Sequence, residues 1–119
     1  MNKEHIQEII VELPTKSADI KGVLVATLDG ITVAECGVWE DSNRIGAMTA
    51  AALGLGKRMI EAASAGMLDE ISIAGVSGRI FIYAIQEAAV MVILTRQTPN
   101  IGMINWEARR ALVKLEPAI

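Results

Sequence analysis

Ile6, Ile9, Ile10 and Leu13 recur at i, i+3, i+4 and i+7, with Lys3, Glu4, Gln7, Glu8 and Glu12 between them. That spacing predicts a short amphipathic helix, and Pro14 is expected to stop it. After a polar link from Thr15 to Asp19, the pattern changes. GVLVATL (22–28) and ITVAEC (31–36) read as two strands joined by Asp29-Gly30, a dipeptide that favours a type I′ hairpin turn. A loop through Trp39 follows. Trp39 suits either an anchor for a partner or packing over the start of the next helix.

The segment 42–66, SNRIGAMTAAALGLGKRMIEAASAG, has the length and the lack of β-branched runs of a long helix. Asp41 or Ser42 is its expected N-cap and Gly66 its stop. Ile45, Met48, Ala52, Leu53, Leu55, Gly56, Met59, Ile60 and Ala63 cover roughly half its circumference at about 100° per residue. Gly46, Ala47, Ala50, Ala51 and Gly54 keep the other half uncharged until Lys57, Arg58 and Glu61. A helix that is apolar all round is buried all round. Glycine inside a helix costs about 1 kcal/mol relative to alanine. Gly46, Ala50 and Gly54 therefore read as a ridge that lets another backbone approach. One side of this helix is expected on a sheet and the other against a second protein chain.

Beyond Gly66, LDEISIA (68–74) alternates with period two, with Ile71 and Ile73 on one side and Glu70 and Ser72 on the other. RIFIYAI (79–85) makes a fourth strand and AAVMVIL (88–94) a fifth. The fifth is apolar at every position, so it should be central and covered on both faces. Thr98 as N-cap and Pro99 at N1 open a last helix, buried along Ile101, Ile104, Ala108, Ala111, Leu112 and Leu115. Glu107, Arg109, Arg110 and Lys114 lie mostly off that stripe, and Pro117 is expected to end the ordered chain. Three helices and five mostly hairpin-linked strands result.

Composition sharpens this picture. The 119 residues suit a single domain over 1–119, and 52% hydrophobic content with a mean hydropathy of +0.40 suggests an interface beyond the core. The uncharged run from Ile45 to Gly56, flanked by Arg44 and Lys57, is too short to span a membrane. A net charge of −3, a pI near 5.1 and the lack of a basic cluster argue against nucleic acid as a partner. The N-terminus leads into an amphipathic segment rather than a signal peptide. The single Cys36 excludes an internal disulfide and suits the reducing cytoplasm.

Candidate chemistry is sparse. His5, the only histidine, has no expected ligand set around it, so no metal site is expected. Cys36 has no second histidine candidate to activate it and reads as a small buried apolar residue. Asp29 is explained by the turn. Gly54-Leu55-Gly56-Lys57 superficially resembles part of a phosphate loop, but it sits inside a helix, without a preceding strand or a following hydroxyl. No catalytic residue, metal or cofactor is expected.

GVLVATLDG (22–30), the Ala/Gly-rich helix from Arg44, and IFIY (80–83) before the apolar fifth strand together resemble the roadblock/dynein light chain family, above all its short prokaryotic members. The order α-β-β-α-β-β-β-α resembles that family as well, over nearly the whole chain. The resemblance implies an α/β (α+β) sandwich of profilin-like or longin-like type, with an antiparallel sheet ordered 2-1-5-4-3. Its second helix would cover one face, and the first and last helices the other. It also implies a homodimer through the helix 43–65 and the strand 68–74. Ile45, Gly46, Thr49, Ala50, Leu53, Gly54 and Lys57 would make the helix contacts, and Ile71 and Ile73 the strand contacts. Bacterial members that this chain resembles regulate small Ras-like GTPases in gliding motility without being enzymes, and they supply no arginine finger. Arg44, Lys57, Arg58, Glu61 and Trp39 are the partner-binding residues expected on that basis. A passive dimeric scaffold of the dynein- or lysosomal-adaptor kind is the alternative implied, and a ligand sensor using the sheet's concavity is a third.

Overall fold

The computed structural model describes residues 1–119, and the strand without a polar face lies at its centre. β5 (Ala89–Arg96) runs between β1 (Ile20–Thr27) and β4 (Gly78–Ile85). The outer strands are β2 (Thr32–Gly37) and β3 (Glu70–Ala74), so the antiparallel sheet is ordered β2-β1-β5-β4-β3, as expected. Ala89 to Ile93 are all buried, because helices cover both faces.

Strand alternation sorts the core into two layers. Val23, Val25, Phe81, Tyr83, Met91 and Ile93 pack under α1 (Lys3–Ile10), α2 (Leu13–Lys16) and α4 (Ile101–Leu115), meeting Ile6, Ile10, Leu13, Ile104, Ala108 and Leu115. Leu24, Ala26, Ile82, Val90 and Val92 form the smaller layer under α3 (Ser42–Ala62), joined by Ile45, Ala52, Ile71 and Ile80. The expected α/β sandwich is thus present, with α3 as its long helix on one face.

Several local expectations are corrected. Pro14 does not end the first helical segment; it occupies the first turn of the four-residue α2, where its missing N–H costs no hydrogen bond. The first hairpin is not a type I′ turn. Gly30 alone has positive φ, its N–H donates to the Thr27 carbonyl at 2.9 Å, and a bulge at Val25/Ala26 takes up the extra residue. Asp41 caps α3 by accepting from the Arg44 N–H at 3.1 Å. The helix stops at Ala62 rather than near Gly66, because Ser64 already turns left-handed at φ 55°. β3 starts at Glu70, two residues later than expected.

The cap of α4 is Asn100, whose Oδ1 accepts from the Met103 N–H, whereas the Thr98 hydroxyl accepts from Arg96. Ile101, at the start of α4, is largely exposed, and Glu107 is buried in its place along the stripe. Pro117 does not end the order. It lies in a 3₁₀ turn, Glu116–Ala118, whose Ala118 carbonyl accepts from the Asn2 N–H at 2.8 Å.

Gly46 has a specific reason to be glycine. A Cβ there would lie 2.8 Å from the Gly30 carbonyl oxygen, because α3 crosses the β1–β2 turn at this point. Gly54 has no such neighbour: a Cβ there would meet nothing within 4 Å. Gly46→Ala is therefore expected to destabilise by roughly 1–3 kcal/mol through overpacking against backbone. Gly54→Ala is expected to stabilise by about 1 kcal/mol through helix propensity. Denaturant unfolding of both variants at one fixed protein concentration checks the opposite signs.

Asp19 joins three elements. Its carboxylate accepts from the Arg96 guanidinium at the end of β5 and from the Asn100 N–H at 2.9 Å, and its carbonyl accepts from the Arg96 N–H at 3.0 Å. The Arg96 hydrogen bond, reinforced by the Asn100 N–H, holds its pKa below the ordinary carboxylate value. A depressed pKa contributes stability that is present above the unfolded-state value, about 3.9, and is lost as pH falls through the folded-state value. Asp19→Asn should lower Tm at neutral pH, and its deficit relative to the parent chain should shrink as pH drops below about 4. Melting curves across pH 2–7 measure this.

Candidate interaction surface

α3 lies off the centre of its sheet face. It packs chiefly over β1, β2 and β5, so the β3–β4 half of that face is only partly covered, with Ile82 buried but Ile73 exposed. Gly46, Thr49 and Leu53 are buried against the sheet. On the flank towards β3 and β4, Ile45, Met48 and Ala52 form one wall of an apolar groove, and Ile73, Ile80 and Ile82 form its floor. The groove continues past the N-terminus of α3 along Met48, Ile80, Leu94 and Trp39, where Lys21 and Arg44 stand at its rim.

The outward stripe of α3 is apolar. Met48 is 58% exposed, Leu55 54% and Met59 63%, while Ile73 on β3 is 48% exposed. These side chains recur at i, i+7 and i+11 and therefore share one flank. β3 pairs only with β4, so its outer edge carries unpaired backbone groups beside the same groove.

The small-residue ridge does not form the uncovered surface expected of it. Gly46 is packed on the Gly30 carbonyl, Ala50 is half-buried, and only Gly54 stands free. Thr49 and Leu53, also expected in a helix–helix interface, are each 4% exposed and belong to this chain's own core. Ile45 is half-buried and Ile73 exposed at the groove, Ile71 is half-buried beneath Gly56 of α3, and Lys57 is exposed on the opposite flank of the helix. The stripe of Met48, Leu55 and Met59 was legible in the sequence only as an apolar arc wider than a sheet-facing helix needs.

The expected partner residues fall at two ends of α3. Arg44 stands near Trp39 at the N-terminal end, and Lys57, Arg58 and Glu61 are exposed towards the C-terminal end. From Arg44 to Arg58 the helix rises by about 21 Å, so the two groups do not meet within one chain. Trp39 combines the two roles considered for it. Its Nε1–H donates to the Cys36 carbonyl at 3.1 Å and its ring lies on Gly22 of β1, where a Cβ would come within 2.9 Å. One side of the ring still lines the groove.

β3 is held from the opposite face. The Arg109 guanidinium of α4 donates to Asp69 at 2.8 Å and to Glu70 at 3.4 Å, with the Tyr83 ring beneath it at 5.1 Å. The Tyr83 hydroxyl donates to the Asn105 side-chain oxygen, and burial pushes its pKa far above the ordinary value. Burial likewise raises the pKa of the Cys36 thiol, which stays protonated and donates to the Ile10 carbonyl at 3.5 Å. His5 sits 3.6 Å from Glu8 on the exposed side of α1, and no group of three His, Cys, Asp or Glu side chains is placed to hold a metal ion. No helix is long and apolar enough to cross a membrane.

No curated protein matches the sequence. Solved structures do match the fold. MglB of Myxococcus xanthus superposes with a TM-score of 0.89 at 13% identity, covering 98% of this chain and 88% of that one. A Roadblock/LC7 domain from Streptomyces avermitilis gives 0.87 at 12% identity, covering 94% and 95%. Profilin IB of Acanthamoeba castellanii gives 0.69 at 13% identity, covering 94% and 97%, so the sandwich is profilin-like. At the level of sequence, the family model of the Roadblock/LC7 domain matches residues 6–95, which run from α1 through β5. This chain belongs to the Roadblock/LC7 domain family.

Proposed function

We propose that this chain is a non-catalytic regulator that works as a homodimer and acts on a small Ras-like GTPase. The observation that carries the dimer is the pairing of an exposed apolar flank with an open strand edge. Met48, Leu55 and Met59 stand beside the partly covered β3–β4 floor, and β3 has no outer partner. A two-fold axis across the β3 edge would pair β3 with its own copy antiparallel and lay the two α3 helices side by side. Each flank would then be buried by its counterpart on one continuous sheet.

Such an arrangement also addresses the separation of the charged groups. Antiparallel α3 helices bring Trp39 and Arg44 of one copy towards Arg58 and Glu61 of the other, giving composite patches that a monomer lacks. The resemblance to roadblock regulators of gliding motility, and the fold shared with MglB, support a GTPase as the occupant. The chain holds no nucleophile–base pair, so its contribution would be to reposition groups that the GTPase already owns.

Leu55→Asp is expected to give a monomer, because a buried unpaired charge is costly, and Met48→Asp should do the same. Gly54→Leu should leave the dimer intact. Light scattering at matched concentrations distinguishes these outcomes. Adding the dimer to its cognate small GTPase should raise the single-turnover rate of GTP hydrolysis, and Arg44→Glu should reduce that gain without dissociating the dimer. An unchanged rate with unchanged nucleotide-independent binding would favour a passive scaffold instead.

A further inference from the structure

The groove beside α3 is absorbed by the proposed dimer, but the opposite layer carries its own exposed apolar stripe. On α4, Trp106 is 63% exposed and Val113 70%, seven residues and two turns apart. Arg110 stands between them, and Lys114 follows Val113. Single exposed apolar residues need no explanation, but tryptophan and arginine are the side chains that dominate interface energetics. The charge of this face is also distinctive. Glu107 is buried, so every exposed charge on α4 is basic in a chain whose net charge is −3.

We propose that the solvent face of α4 docks an acidic amphipathic segment of another protein. Arg110 has only Glu107 near it, at 3.7 Å, while Lys114 and Lys16 have no ion-pair partner. These three cations line a cleft between α2 and α4 over Ile9, Leu13 and Ala111, where Glu12 and Glu107 also stand, so cations outnumber carboxylates there by one. A segment lying along α4 sets apolar residues on Trp106 and Val113 and carboxylates on the cations. An anionic bilayer is a poorer fit. It would meet the neighbouring α1 at the same time, where Glu4 and Glu8 are exposed and add to Glu12 in offsetting the three cations. A narrow acidic segment along the cleft meets Lys16, Arg110 and Lys114 with Glu12 and Glu107, but not Glu4 or Glu8, which do not line it.

The test places a photo-crosslinking residue, Val113→p-benzoylphenylalanine, in the full chain inside its native host, with the captured segment sequenced by mass spectrometry. The expected result is a segment with more Asp and Glu than Lys and Arg, and with apolar residues at helical spacing. The crosslink should disappear in Arg110→Glu/Lys114→Glu. A synthetic peptide of the captured segment should blue-shift Trp106 emission in a Trp39→Phe background, and its affinity should fall roughly tenfold or more between 50 and 500 mM salt. Circular dichroism checks that the variants fold, and light scattering on the same samples reports the dimer independently. Capture of lipid, of a segment without acidic excess, of no macromolecule, or a crosslink indifferent to charge reversal overturns the proposal.

Discussion

Burying β5 on both faces is the constraint on which the rest of this structure depends. From Ala89 to Ile93 no side chain can face water without loss, so helices must cover the sheet on each side. The larger layer, α1, α2 and α4, meets this demand fully on its side, and the chain termini are drawn into it through Asn2 and Ala118. The smaller layer is one helix, and one helix is too narrow for a five-stranded sheet.

That mismatch in width leaves apolar side chains of α3 exposed. α3 is anchored towards β1 and β2 because Gly46 permits close approach to the Gly30 carbonyl, and this leaves the outer part of β3 and β4 less covered on that side. The apolar side chains beside the opening are the part of α3 that its own sheet cannot use. Arg109 holds β3 from beneath through Asp69 and Glu70, so the exposed edge strand is kept in place by a charged contact on the opposite face.

The two nucleophile or base candidates are accounted for structurally: the Cys36 thiol stays protonated by burial, and His5 sits on an exposed helix face beside Glu8. The helical layers differ in kind. α3 carries an exposed apolar flank, whereas on α4 the exposed Trp106 and Val113 stand beside basic side chains.

The order of elements, the central place of the fifth strand and the presence of surplus apolar surface on the long helix were all determined by local pattern. Period and composition report which side chains avoid water, and they do so without knowledge of neighbours. The partner of each apolar face was decided only by tertiary structure. Gly46 and Gly54 look equivalent in the sequence, yet one is pressed against the Gly30 carbonyl of the first hairpin and the other is free. Capping was decided in the same way: Asn100 rather than Thr98 starts α4 because Asp19, far earlier in the chain, receives the Asn100 N–H. Helical periodicity shows that α3 has too much apolar surface for one contact. The direction in which α3 leans across the sheet selects Met48, Leu55 and Met59 as the part left over.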